Sequence, residues 1–181
     1  VPGYKHIATA VAVPEILDRL IVTTAASKTF NIAGARTGCV IIPDPDLRAR
    51  FDAYFRQFDV SPNLLGNELT RAAYSPAGAA WVDELCTYLR GNYDTFNEAI
   101  GAVPGLDMMP MESTYLSWID FSGTGLPMNE VRKRIAEQAK IAATPGHSLG
   151  AGGEPFMRFN LGMARSQVIE AAERLANAFE S

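Results

Sequence analysis

The stretch that most constrains this chain comes early. An apolar run, Leu20-Ile21-Val22, gives way to small and hydroxylated residues, Thr24-Ala25-Ala26-Ser27, and then to Lys28. Strand-forming residues followed by Ala, Ser and Gly predict a buried strand over 19–25, with Lys28 on the turn beyond it. An ammonium is costly to bury unless it is paired or gives up its proton. A lysine amine that is neutral near pH 7 is suited to forming a Schiff base. The pattern leaves the alternative open, a solvated lysine beside a loop.

Further along, Pro14-Glu15-Ile16-Leu17 predicts a brief helical turn, and Cys39 to Ile42 a second buried strand. His6 lies among apolar residues, where a histidine more often serves structure than ligation. Pro43-Asp44-Pro45-Asp46 is punctuation, with Asp46 as the expected cap of the next helix. Leu47, Phe51, Tyr54, Phe55 and Phe58 then recur at helical spacing, giving a helix over 46–58 whose aromatic stripe suits a core or a subunit interface. Ser61-Pro62-Asn63 breaks it, and a second short helix runs to about Tyr74. Ser75-Pro76 opens a long helix with Trp81, Leu85, Leu89, Tyr93, Phe96 and Ile100 on one face, ended by Gly101 and Pro104-Gly105.

Beyond residue 105 the texture is α+β. The pattern predicts a strand over 114–121 and a helix entered at Pro127, bearing Met128, Val131, Ile135 and Ala139. A short strand over 141–143, a glycine-rich loop over 145–153 and a strand over 156–161 follow. The last helix carries Val168, Ile169, Ala172, Leu175, Ala176 and Phe179 in phase. On the strand, Met157, Phe159 and Leu161 alternate with Phe156, Arg158 and Asn160, so Arg158 faces away from the apolar set. A guanidinium there suits bidentate capture of a carboxylate; an ordinary structural ion pair fits the pattern equally well.

Composition narrows the class. The 181 residues are 48% hydrophobic and 20% charged, with net charge −4, as in an ordinary globular protein. No basic cluster suits nucleic acid, and no apolar run approaches the ~18 residues needed to span a bilayer. Cys39 and Cys86 lie in apolar settings and read as reduced residues of a cytoplasmic protein. No His, Cys and carboxylate spacing suggests a metal, and the 145–153 loop lacks the Gly-Lys-Ser/Thr ending of a P-loop.

Ser27-Lys28-Thr29-Phe30-Asn31-Ile32-Ala33-Gly34, followed by Arg36, resembles the cofactor-lysine segment of fold-type I pyridoxal-phosphate enzymes, the class I/II aminotransferase superfamily. Its wording is closest to the cystathionine β-lyase-like branch of C–S lyases. Phe156-Met157-Arg158-Phe159-Asn160-Leu161-Gly162, followed by Arg165-Ser166, is similar to the second signature of that superfamily. The resemblance implies an α/β fold: residues 1–45 end a three-layer large domain, 46–104 form a helical segment whose long helix bridges domains, and 105–181 form an α+β small domain.

By the same resemblance Lys28 is the Schiff-base lysine for pyridoxal 5'-phosphate, and Arg36 contacts the cofactor phosphate. Arg158 holds the substrate's α-carboxylate, while Arg165 steadies the turn before the last helix. The superfamily commonly has a phosphate-binding serine three residues before the lysine. Here that residue is Ala25, which leaves Thr24 and Ser27 as the hydroxyl donors. Pro145-Gly146 and Gly150 to Gly153 are similar to a loop facing the active site, and Tyr115 to a position near the small-domain lid, although the favoured reading of Tyr115 is a packed strand residue. C–S β-lysis of a cysteine S-conjugate is the implied reaction, with transamination as the alternative; the presence of Arg36 leans toward the latter. A non-catalytic remnant or interaction domain is the reading from another class.

The chain opens at Val1, and in the superfamily a large-domain segment precedes the lysine; its glycine-rich turn, ring-stacking aromatic and pyridine-pairing aspartate cannot be located here. The expectation is a C-terminal half, with the other half supplied by the parent or a companion chain. A homodimer is also implied, with residues 61–66 near the neighbouring subunit's cofactor.

Overall fold

In the computed structural model, which describes residues 3–180, the chain divides into a unit spanning Lys5–Glu84 and a second formed by Leu85 onward together with Gly3 and Tyr4. In the first unit, helix α1 (Thr9–Ala12) and a 3₁₀ turn at Pro14–Ile16 lead to β1 (Val22–Thr24). β1 pairs antiparallel with β2 (Cys39–Ile41), Val22 opposite Ile41 and Thr24 opposite Cys39. The sequence predicts longer, buried strands here. Among the described residues the strands are three residues each, and Ile21, Val40 and Ile41 are exposed. Burial among the described residues of this unit is confined to Ala26, Ala35, Ile42, Gly66 and Ala73. His6 is exposed rather than packed.

Asp44, not Asp46, caps α2 (Pro45–Phe55): its carboxylate accepts the Leu47 N–H at 2.7 Å. Pro45 occupies the first helical position, where a missing N–H costs nothing, and so moves the cap back by two residues. Phe51 stacks on Phe55 at 5.5 Å and Tyr54 meets Phe58 edge-on at 5.1 Å, yet Tyr54, Phe55 and Phe58 all remain exposed. α3 (Leu64–Ala73) is capped by Asn63, whose Oδ1 accepts the Gly66 N–H at 2.6 Å. α4 (Pro76–Gly101) follows, opened by Ser75, whose hydroxyl oxygen accepts the Gly78 N–H at 3.1 Å.

The second unit is built on the C-terminal part of α4, which buries Leu89, Asn92, Tyr93, Phe96 and Ile100. β3 (Asp107–Met108), β4 (Leu116–Asp120), β5 (Thr144–Pro145) and β6 (Phe156–Asn160) form one antiparallel sheet in the order β3-β4-β6-β5. α5 (Met128–Lys133) runs on into a π-helical turn, Arg134–Gln138, and α6 (Arg165–Phe179) closes the chain. Alternation along β4 and β6 sends Ser117, Ile119, Met157 and Phe159 to the core face. There Ile119, Met157 and Phe159 join Phe96, Ile100, Val131, Ile135, Val168 and Leu175 in one continuous apolar cluster.

Two expectations shift in this unit. The strand predicted over 141–143 lies at Thr144–Pro145 instead. Lys140 is left-handed at φ 57° and the Ile141 N–H bonds back to the Ile135 carbonyl, so 141–143 serve as the helix exit and the ladder starts only at Thr144. Ile169, expected on the apolar face of α6, is exposed.

Candidate active site

Lys28 sits in the turn between β1 and β2, and its side chain is exposed rather than sealed at a strand end. The turn is ordered by its own backbone. The Phe30 N–H donates to Ala26 O and the Ile32 N–H to Ser27 O, both at 3.0 Å, bracketing Lys28 from either side. Asn31 takes a left-handed conformation, φ 53°, which an asparagine tolerates better than most residues. A 3₁₀ turn, Ala33–Ala35, ends at Arg36, also left-handed at φ 47° and ψ 45°. Asn63 reaches into this segment from the start of α3, donating from Nδ2 to Ala35 O at 2.7 Å and to Thr37 Oγ1 at 3.3 Å. The same amide caps α3, so one side chain ties the helix start to the carbonyl beside Arg36.

Of the other residues proposed around Lys28, Thr24 is exposed at the end of β1 and Ser27 is half-buried next to the lysine. Among the described residues no carboxylate forms an ion pair with Lys28 or Arg36. Beside the turn lies an open cleft of about 500 Å³, walled by Thr24, Ala25, Thr29 and Phe30 on one side and by Tyr74 and Val82 on the other. Lys28 and Arg36 do not line it, so Thr24 is the one proposed cofactor contact that does. Phe30 stacks on Trp81 at 5.4 Å, which anchors the far side of the turn.

The second cluster belongs to the other unit. Arg158 lies in the middle of β6 with its side chain on the face opposite the core, directly across from Trp118 on β4 and Thr144 on β5. Trp118 stacks on Phe156 at 5.2 Å, so the guanidinium rises from a half-buried aromatic surface. Its one hydrogen bond is long, 3.4 Å from Nη2 to Thr144 Oγ1, and no carboxylate pairs with it among the described residues. A partly desolvated arginine with most of its donors free can accept a carboxylate in two parallel bonds. The glycine-rich loop folds against this surface: a Cβ on Gly146 would fall 2.8 Å from both Trp118 Cη2 and Phe156 O. Only glycine lets the loop lie that close. Tyr115 packs beside Gly162, and its carbonyl accepts the Leu161 N–H at 2.8 Å.

The family model for aminotransferase class I and II matches residues 2–175. The chain belongs to that family. Curated proteins similar to it include cystathionine beta-lyase PatB of Bacillus subtilis (strain 168), 35% identical over 178 residues, covering 97% of this chain and 46% of that protein. Protein MalY of Escherichia coli (strain K12) is 32% identical over 161 residues, covering 87% and 41% respectively. Among solved structures, cystalysin from Treponema denticola, which contains a pyridoxal 5'-phosphate cofactor, matches with TM-score 0.89 and 30% identity over 98% of this chain and 45% of that one. The PLP-bound C–S lyase from Staphylococcus hominis matches with TM-score 0.85 and 25% identity, covering 98% and 46%. The chain thus spans about half the length of the curated relatives it matches.

Two residues that organise these clusters escape the sequence reading. Asn63 is legible in part, since an asparagine before a helix is a capping signal. Asn92 is wholly buried on α4, three residues after Leu89 and four before Phe96. A lone amide at a core position of an apolar helical face is the signal that marks it.

Proposed function

We propose that this chain carries the catalytic lysine and the substrate arginine of a pyridoxal-phosphate-dependent enzyme acting on amino acids, a C–S β-lyase that converts a cysteine S-conjugate and water into a thiol, pyruvate and ammonia. The observation that carries the reading is Arg158. It stands on a strand over an aromatic face, no carboxylate among the described residues pairs with it, and so it is ready for the α-carboxylate of an amino acid. The likeness to PatB and MalY favours the lyase over other family reactions.

The residues present suit the cofactor chemically. A solvent-facing amine at Lys28, a guanidinium at Arg36 that pairs with no carboxylate among the described residues, and hydroxyls at Thr24 and Ser27 match an aldehyde that bears a phosphate. When bound, pyridoxal phosphate supplies an electron sink for the charge left at the substrate α-carbon. Lys28 is the amine that would join the cofactor aldehyde, and when released its Nζ can take the α-proton as a general base. The exposed Arg36 would offset the phosphate charge. Arg158 would hold the substrate's carboxylate by two parallel bonds.

A specific residue favours a second reading. The presence of Arg36, by the resemblance to the superfamily, leans toward an aminotransferase, and the matching family model bears that name. In that case the proton held on Lys28 returns to a different carbon and no sulfur leaves. We further propose a cytoplasmic homodimer with the remainder of the site supplied outside these residues. The exposed Tyr54, Phe58, Leu64 and Leu65 support an apolar subunit contact, with 61–66 near the neighbouring subunit's cofactor.

The deciding experiment is borohydride reduction of the cofactor-loaded protein, then peptide mass spectrometry, with pyruvate release from cystathionine measured alongside 2-oxoacid-dependent amino transfer. A phosphopyridoxyl group on the Lys28 peptide with pyruvate formation supports the lyase. Amino transfer without pyruvate selects the aminotransferase. No adduct after cofactor is added would leave a non-catalytic domain.

A further inference from the structure

Arg158 can place a carboxylate only as well as β6 is itself placed, and β6 is held unevenly. β4 pairs with it along its whole length, from Phe156 to Asn160. On the opposite edge β5 pairs only with Met157 and Arg158, so the strand loses that neighbour at the arginine itself. The chain then turns through Leu161-Gly162-Met163-Ala164 into α6. An end held on one side is free to rock, and bidentate capture tolerates little rocking.

A set of contacts from α4 takes up the missing side. Asn92, fully buried, donates from Nδ2 to Leu161 O at 2.9 Å and to Met163 O at 3.0 Å. Its Oδ1 accepts from Arg165 Nε at 3.0 Å. Arg165 lies with its guanidinium 4.8 Å from the Tyr88 ring centre and donates from Nη2 to Tyr88 O at 2.8 Å. The Tyr88 hydroxyl accepts the Arg165 backbone N–H at 2.7 Å, and Asn160 Oδ1 accepts the Gly162 N–H at 2.8 Å. Gly91 makes the space: a Cβ there would fall 2.9 Å from Arg165 Cζ and Nη1.

We infer that Tyr88, Asn92 and Arg165, with Gly91 as the gap that admits the guanidinium, are positioning residues that clamp the end of β6 and thereby set Arg158 for substrate carboxylate capture. The inference rests on the role proposed for Arg158. None of the three touches substrate; each acts through the strand.

Gly91→Ala tests this with opposed signs. Alanine is the better helix former, so α4 itself gains by the exchange. The new methyl displaces the Arg165 guanidinium and so opens the clamp. In the cofactor-loaded protein we expect the melting temperature to hold or rise slightly. Amide exchange over 161–165 should speed up about tenfold, and KM for the amino-acid substrate should rise about five- to tenfold with kcat little changed. Arg165→Ala alone should give the same pattern, and adding Gly91→Ala to it should add nothing. Tyr88→Phe, which removes one bond at an exposed site, gives a milder version should Gly91→Ala fold poorly. Unchanged exchange over 161–165 would overturn the clamp. So would unchanged KM in a protein where Arg158→Ala raises KM strongly. If Arg158→Ala itself leaves KM alone, the reading of Arg158 fails and the exchange data still judge the clamp.

Discussion

Asn92→Ala isolates a buried amide whose bonds can be weighed one at a time. The Leu161 carbonyl belongs to a residue only 2% exposed, so it would be orphaned out of reach of water, at about 1–3 kcal/mol. Met163 is 39% exposed, and water can replace the amide at its carbonyl for a few tenths of a kcal/mol. Arg165 keeps its bond to Tyr88 O and its contact with the ring, so losing its Nε partner adds less than about 1 kcal/mol. Alanine's better helix propensity returns roughly 0.5 kcal/mol. The sum is a loss of about 2–3 kcal/mol.

Urea unfolding reads this loss through Trp118, which lies in the same unit, in a Trp81→Phe background that removes the other tryptophan. With a slope of about 1–2 kcal/mol/M for a segment of this size, the midpoint should fall by roughly 1–3 M at unchanged slope. Asn97→Ala on the same helix, whose side chain makes no hydrogen bond among the described residues, is the control for propensity alone. A midpoint shift in Asn92→Ala no larger than in that control would refute the reasoning. It would mean that water reaches the Leu161 carbonyl.

Three further outcomes are expected. Lys28→Ala should abolish the cofactor's absorbance as a lysine adduct together with turnover, read by spectrum and by pyruvate release. Arg158→Ala should raise KM for amino acids by the equivalent of about 2–5 kcal/mol, as when one side of a desolvated charge pair is removed, measured by steady-state kinetics. Asp44→Ala should destabilise the start of α2 by about 1 kcal/mol through loss of its cap, measured by denaturation, whereas Asp46→Ala should cost at most a few tenths from the helix dipole.

How legible these features are in sequence depends on what holds each one. The α+β half is readable because its periodicity and its burial coincide. The face of α4 that carries Leu89, Tyr93, Phe96 and Ile100, and the alternation of Met157 and Phe159 around Arg158, are the same residues that pack in the structure. Where local hydrogen bonding decides, pattern misleads by a residue or two. Pro45 draws the cap back to Asp44, and the left-handed Lys140 delays the edge strand to Thr144. Apolar strands at 19–25 and 39–42 predict burial that the two-stranded ribbon does not provide, since hydrophobicity states what a residue prefers and not what covers it. Asn63 and Asn92 act through backbone carbonyls remote in sequence, 28 and 69 positions away, and such partners leave no local trace.

The two clusters therefore differ in how firmly they are held, and that difference has a measurable consequence. Arg158 stands on a strand whose reverse face meets Phe96, Ile119, Phe121 and Leu175, each almost wholly buried and each contributing about 1.5–3 kcal/mol relative to exposure. The Lys28 turn is backed by Ala26 and Ala35, whose methyls contribute far less, and is ordered instead by the Phe30 and Ile32 N–H bonds and the Asn63 amide. A segment held by exposed backbone bonds opens at lower free energy than one held by a core. A ligand that binds the ordered turn stabilises it by RT ln(1 + [L]/Kd), about 2.7 kcal/mol at a hundred times Kd. Hydrogen exchange with and without pyridoxal phosphate should accordingly show amides over 26–36 slowing by about a hundredfold at that excess. Amides of β4 and β6 should stay nearly unchanged. Equal slowing in both places would show that the order of the turn is tied to the core after all. No slowing at the turn would remove Lys28 and Arg36 from the cofactor's contacts.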